Sequence, residues 1–226
     1  GFLLWYSGKH KRYVLSPRDS FLLVGLICFV MPMVATLPML QLHGYESFFR
    51  ESWFEANASF TTTGWRLLAD WSQFSRAEIF YRALLQALGG LIWLILWGRF
   101  FHYFGKIQKF NHYHDDNAQR QIKYHSLWKV YVVLLVLCAV NYWLAGMGIF
   151  DAICHAFSTI SGNGLTQYHD NIGHFHSSTI EMITMLFMFS NLVNLSLHAW
   201  FWQTGSLLKS YCRDEEMRAG MGLLIL

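Results

Sequence analysis

Apolar positions along this chain collect into long unbroken runs separated by short polar segments. Ser20 to Leu40 and Val130 to Phe150 each cover 21 residues without Asp, Glu, Lys or Arg, and Met182 to Leu208 covers 27. A helix needs about 20 apolar residues to cross a hydrocarbon core of about 30 Å, so each run predicts a membrane span. A fourth run, Ala83 to Gly98, is shorter. It can still span, because Arg99 reaches to the interface and Phe100, Phe101, Tyr103 and Phe104 extend the apolar length. Between the first two spans, and again between the last two, the pattern predicts a short helix and an extended segment. The first set is a span near 20–40, a helix near 46–59, a segment at 61–65 and a return span near 79–104. The second is about 127–149, 151–160, 161–165 and 178–203.

The two extended segments are near-repeats. Phe54-Glu-Ala-Asn-Ala-Ser-Phe-Thr-Thr-Thr-Gly64-Trp65 recurs 100 positions later as Cys154-His-Ala-Phe-Ser-Thr-Ile-Ser-Gly-Asn-Gly164-Leu165. The chain therefore reads as an all-α membrane protein made of repeated membrane-pore-membrane units (helix, pore helix and filter loop, helix), as in K+ channels. Residues 1–104 form the first unit with a basic N-terminal segment, and 105–126 a cytoplasmic linker. Residues 127–208 form the second unit, and 209–226 a further linker and the start of another span. The start at Gly1 and an apolar end at Met221 to Leu226 read as a piece of a longer polypeptide.

Composition and charge agree. Hydrophobic residues are 54% of the chain, aromatic residues 18% and charged residues 14%, the balance of a membrane protein. Of the 17 Lys and Arg, all but Arg50, Arg66, Arg76 and Arg82 fall before the first span, between the second and third, or after the fourth. That asymmetry places those segments in the cytoplasm and both repeats at the outer face. The basic clusters are then topological signals and not a nucleic-acid surface. Cys28, Cys138, Cys154 and Cys212 form no disulfide or metal-binding spacing.

Irregular backbone at membrane depth is tolerated where it is buried in protein or lines a watery path. A cation entering such a path must exchange its hydration shell for other oxygens, and backbone carbonyls supply them without fixed charge. Thr61, Thr62, Thr63, Gly64, Ser161, Gly162, Asn163 and Gly164 are the neutral residue types this requires. Gly64, Gly162 and Gly164 permit positive φ, and the hydroxyls of Thr61, Thr62, Thr63 and Ser161 can anchor the loops. K+ is expected at the backbone carbonyls of Thr62, Thr63, Gly162 and Asn163. The segments hold no carboxylate, so monovalent ions suit them better than divalent ones. Glu46 and Asp151 stand near the starts of the short helices, where negative charge suits the helix dipole.

Other chemistry is less favoured. Gly89-Gly90 and Gly146-x-Gly148 read as close helix packing, and Pro32 and Pro38 as packing geometry in the first span. His102 and His198 could hold a haem between the return spans, which makes a membrane redox subunit a rival reading. His169, Asp170, His174 and His176 have no standard zinc spacing and read as an exposed loop. No Ser/His/Asp, paired Asp or His-Glu-x-x-His arrangement serves an intramembrane hydrolase, so the chain is not expected to be an enzyme. Ser190, Asn191 and Asn194 form a polar stripe that lines the path or bonds between helices.

Phe60-Thr-Thr-Thr-Gly-Trp65, Leu85-Gln-Ala-Leu-Gly-Gly90, Trp143-Leu-Ala-Gly-Met147, Phe150-Asp-Ala-Ile-Cys-His-Ala-Phe-Ser-Thr-Ile-Ser161 and Asn194-Leu-Ser-Leu-His198 resemble the Trk/Ktr/HKT superfamily of potassium transporters, on the side of the bacterial TrkH and TrkG membrane subunits. The resemblance covers nearly the whole chain. It implies four membrane-pore-membrane units around one path, with Gly64 and Gly164 at the filter-glycine positions of the first two. It also implies potassium uptake across the cell inner membrane, a homodimer and a cytoplasmic nucleotide-binding regulatory subunit. K+ is the only cofactor implied, and no organic one. Gly64, where related Na+-permeable transporters carry Ser, favours K+. The second filter departs from the family, with Gly162-Asn163-Gly164-Leu165 in place of Thr-Gly-Gly-Phe. A Na+-permeable or poorly selective cation transporter is the alternative.

Overall fold

In the computed structural model the described residues are 17–43, 49–67, 74–107, 124–192 and 198, and among them every regular element is helical. The order is α1 (Pro17–His43), α2 (Phe49–Phe60), α3 (Arg76–Ile107), α4 (Tyr124–Leu144), α5 (Ile149–Ser161), a 3-10 turn at Asn171–Phe175, and α6 (Ser178–Leu192). Among the described residues three helices carry apolar stretches long enough to cross a membrane: Phe21–Leu40 in α1, Arg76–Leu96 in α3 and Leu127–Leu144 in α4. Of the fourth expected span, near 178–203, the described part is α6, Ser178–Leu192, and most of the rest of that expectation lies outside the described residues. Outward-facing Phe21, Leu22, Leu26 and Phe29 on α1, and Met182, Met185 and Leu186 on α6, suit contact with hydrocarbon.

Local chemistry sets the helix ends. The return span begins at Arg76 rather than near 79 because Ser75 and Glu78 form a reciprocal cap. The Ser75 backbone N–H and hydroxyl each donate to Glu78 Oε2 at 2.6 Å, and the Glu78 N–H donates back to Ser75 Oγ at 3.4 Å. Pro32 and Pro38 lie within α1, and buried Thr36 returns its hydroxyl to the Pro32 carbonyl at 2.8 Å. Asp151 sits in the first turn of α5 as expected, and its carboxylate also accepts a hydrogen bond from Gln167. In α2 the first-turn acid is Glu51. Glu46, Asn194, most of the linker at 105–126 and the segment at 209–226 lie outside the described residues.

Each unit folds a short helix between two others. In the first, Ala35 and Met39 of α1, Ala56 of α2 and Leu85 of α3 form a small core. In the second, Tyr131, Cys138 and Tyr142 of α4 pack with Ala152, Ala156 and Ile160 of α5 and Ile180 and Phe187 of α6. The buried Tyr142 hydroxyl ties that unit together, lying 2.9 Å from both Thr159 Oγ1 and Thr184 Oγ1. Helix α3 joins the units, packing on α2 on one side and on α4 and α5 on the other. Its Gly89-Gly90 pair makes this possible. A methyl at Gly89 would fall 2.1 Å from the Phe60 carbonyl oxygen, and one at Gly90 3.0 Å from Ser161 Cα. The expected packing role of these glycines is thus met at the ends of both short helices.

Candidate functional site

Both short helices end in the same way. In α2 the Thr63 N–H donates to the Ala58 carbonyl at 3.1 Å and the Thr62 N–H to Ser59 at 3.3 Å. In α5 the Asn163 N–H donates to Ser158 at 3.2 Å and the Gly162 N–H to Thr159 at 3.2 Å. These are paired Schellman closures, which need a left-handed residue just past the helix. Gly162, at φ +73°, fills that place in the second unit. Thr62 fills it in the first at φ +54°, a costly conformation for a β-branched residue. Gly64 and Gly164 then turn again at φ +72° and +73°. The sequence reading anticipated the three glycines and missed Thr62, although the repeat aligns it with Gly162.

The hydroxyls hold the loops locally. Thr61 Oγ1 donates to the Asn57 carbonyl at 2.7 Å and lies 2.6 Å from Thr63 Oγ1. Ser161 Oγ donates to the Ser158 carbonyl at 3.1 Å. From α6, Asn191 Nδ2 donates to the Thr159 carbonyl at 2.7 Å, so this member of the polar stripe bonds between helices. Ser190 bonds within its own helix, to the Phe187 carbonyl at 2.7 Å.

Two loop segments from different units meet here. A methyl built on Gly64 would lie 2.5 Å from the Asn163 carbonyl oxygen. The Asn163 side chain crosses to the first unit, donating to the Ala58 and Ser59 carbonyls at 3.3 and 3.2 Å. Just beyond, the Arg66 guanidinium spans to the second unit's outer loop. It donates to the carbonyls of Thr166 at 3.1 Å and Tyr168 at 3.2 Å, and to Asn171 Oδ1 at 3.1 Å. The hydropathy pattern gave Arg66 only as an outer charge. Its place directly after Gly64-Trp65 was the available signal.

Beside the first loop lies a buried ion pair, with Arg82 of α3 at 2.9 Å from Glu55 Oε2 of α2 and the side chains 3% and 0% exposed. The other Glu55 oxygen accepts the Leu67 N–H at 2.8 Å, pinning the chain as it leaves the loop. In the repeat, Glu55 aligns with His155, which is solved differently. His155 is 2% exposed and both its ring nitrogens lack a hydrogen-bond partner among the described residues. Its ring stacks on Tyr168 at 6.1 Å and meets Phe175 edge-on at 5.2 Å. A cavity of about 20 Å³ lies between α3, α5 and the segment leaving the second loop, lined among others by Arg82, His155 and Gln167.

The outer histidines do not converge. His174 stacks on Tyr168 at 3.7 Å and His169 lies 3.3 Å from Asp170. Among the described residues no three His, Cys, Asp or Glu side chains gather as a metal set. Partial burial pushes the Tyr168 phenol up from its ordinary pKa, so it stays protonated at neutral pH. Of the haem candidates, the His102 side chain lies outside the described set, and a His198 ring nitrogen lies 3.0 Å from the Ser190 carbonyl oxygen.

The model of the TrkH family, a cation transport protein, matches residues 1–224. The Trk system potassium uptake protein TrkH of Vibrio parahaemolyticus is 31% identical over the whole chain and 49% of its own length. The TrkH of Escherichia coli K12 is 32% identical over 99% of the chain and 48% of its own length, and that organism's TrkG 29% identical over 95% and 46%. The crystal structure of the potassium transporter TrkH from Vibrio parahaemolyticus matches with a TM-score of 0.84, at 31% identity over 99% of this chain and 46% of that one. The chain spans about half the length of these relatives. It is a multi-pass protein of the cell inner membrane. With the family model matched almost end to end, and the fold of a solved member reproduced around both loops, the chain belongs to the TrkH family of cation transport proteins.

Proposed function

We propose that this chain supplies two filter units of a potassium-uptake protein, passing dehydrated K+ along backbone carbonyls of residues 61–64 and 161–164. The observation that carries the reading is the matched backbone of the two loops, left-handed at positions 62 and 64 and again at 162 and 164, each directly after a short helix. Helix C-termini carry an effective charge of about −0.5, which favours a cation stripped of water beyond them. Schellman bonding consumes the N–H groups of Thr62, Thr63, Gly162 and Asn163, leaving their carbonyls as acceptors for an ion. Thr62, Thr63, Gly162 and Asn163 are the residues to which we assign K+.

This chemistry is that of transport and not of catalysis, and K+ is the cargo rather than a resident cofactor. The relatives' names, Trk system potassium uptake proteins, support K+ over Na+. The family resemblance further supports a homodimer served by a cytoplasmic nucleotide-binding subunit. Both are measurable as the mass of the purified complex and as nucleotide-dependent co-purification.

The test of the main reading is flux into proteoliposomes holding the complete polypeptide, with K+, Rb+ and Na+ compared. K+ and Rb+ should exceed Na+, and Gly64→Ser should erode that preference, because its Cβ collides with the Asn163 carbonyl and its φ opposes any side chain. Equal flux of all three ions in the unaltered protein would overturn the K+ assignment.

A further inference from the structure

We infer that Asn163 is a specificity-determining positioning residue, an amide strut from the second filter that holds the first filter in register. The inference rests on the filter reading above and names the contact that joins the two loops. Asn163 is 6% exposed, so its NH₂ group has little water to bond and takes protein partners instead, while Oδ1 has no hydrogen-bond partner among the described residues. Two carbonyls of the neighbouring short helix, Ala58 and Ser59, stand within 3.3 Å of Nδ2. Acceptors on that side fix the NH₂ group there, which settles the orientation of the amide.

Those two carbonyls are the ones that close the Schellman turn of α2, through Thr63 and Thr62. Asn163 therefore grips the turn from which the first filter emerges. Its own backbone carbonyl lies against Gly64, so one residue touches both the root and the far end of the first filter. The second short helix is served likewise at the matching carbonyl, Thr159, but its amide comes from Asn191 on α6. Thr63, which occupies the Asn163 position in the first repeat, spends its hydroxyl locally on Thr61. The Asn163 side chain thus joins the second filter segment to the end of the first unit's short helix. A shift of that side chain moves the carbonyls of both loops together. Ion preference depends on where those carbonyls stand, so preference, more than total flux, should register the change.

The experiment compares K+ and Na+ flux in proteoliposomes of the complete polypeptide carrying Asn163→Asp, Asn163→Ala, Gly64→Ser, or Asn163→Asp with Gly64→Ser. Aspartate keeps the shape, loses both donors and sets an anion against two carbonyls. The K+ to Na+ flux ratio should fall about tenfold in Asn163→Asp and about threefold in Asn163→Ala, as expected for a lost buried hydrogen bond. The double variant should fall by less than the product of the two single effects, because the side-chain contact to α2 and the backbone contact to Gly64 are both made by Asn163 and are coupled through it. Should Asn163→Asp fail to fold, Asn163→Ala carries the test. A ratio eroded by Gly64→Ser but unchanged in the folded Asn163 variants overturns the strut and leaves the filter. A ratio unmoved by Gly64→Ser overturns the filter reading, and the strut with it.

Discussion

Glu55 and Arg82 place opposite charges on side chains that are almost wholly buried, and the energetics of such a pair are asymmetric. Forming it in the interior gains little net, since desolvation offsets attraction, whereas deleting one partner strands the other. Arg82→Gln should therefore destabilise the protein by about 3–5 kcal/mol, and the Glu55→Gln, Arg82→Gln double variant by much less. Thermal unfolding of the full polypeptide in detergent checks this, and an unchanged midpoint in Arg82→Gln would remove the pair from the account. The pair also shows why some of the site was illegible beforehand. Glu55 and Arg82 are 27 positions apart on two helices, and no local pattern links them. Left-handed backbone at Gly64, Gly162 and Gly164 was legible because only glycine takes it freely. Thr62 was not, because a β-branched residue there contradicts the local rule and is held by the closure around it.

At the scale of elements, α3 brings its backbone up to the ends of both short helices, and it can do so only without side chains at 89 and 90. Gly89→Ala would put a methyl inside the Phe60 carbonyl, a backbone atom that cannot rotate away. The expected cost is about 3 kcal/mol, the upper part of the range for overpacking, with α3 displaced from the first loop. A lowered unfolding midpoint together with reduced K+ uptake would show it. Wild-type values for both would mean that the helices separate freely at this point. The existence of the elements was legible from unbroken apolar runs and from the repeat, since membrane spans need only length and hydrophobicity. Their junctions were less so. The beginning of α3 is set by the Ser75 and Glu78 cap, which lies outside the apolar run that suggested the span. The glycine pair was legible as a packing site, but its partners Phe60 and Ser161 belong to different units and emerge only in the fold.

For the molecule as a whole, the two units must keep a fixed relation if their loops are to act on one ion. Apolar packing of α3 on α4 and α5 supplies cohesion, but such packing is non-directional and does not by itself set the outer loops against each other. Arg66 does this with directed bonds, its fork reaching two carbonyls and one side-chain oxygen of residues 166–171. A lysine has one compact ammonium in place of the planar fork and cannot match three separated acceptors as well. Arg66→Ala should free the second unit's outer loop, with a loss of about 2 kcal/mol for these partly exposed charged bonds. That loss corresponds to about thirtyfold faster amide exchange if the loop opens independently of the helices. Hydrogen exchange of the full polypeptide should show the gain at Tyr168, Asn171 and Gly173, whose N–H groups bond within that loop, while α4 amides keep their protection. Arg66→Lys should fall between the two. Exchange that rises equally in α4 would instead show that Arg66 supports the fold globally, and unchanged exchange in the loop would show that Asn163 and the helix packing hold the units together without it.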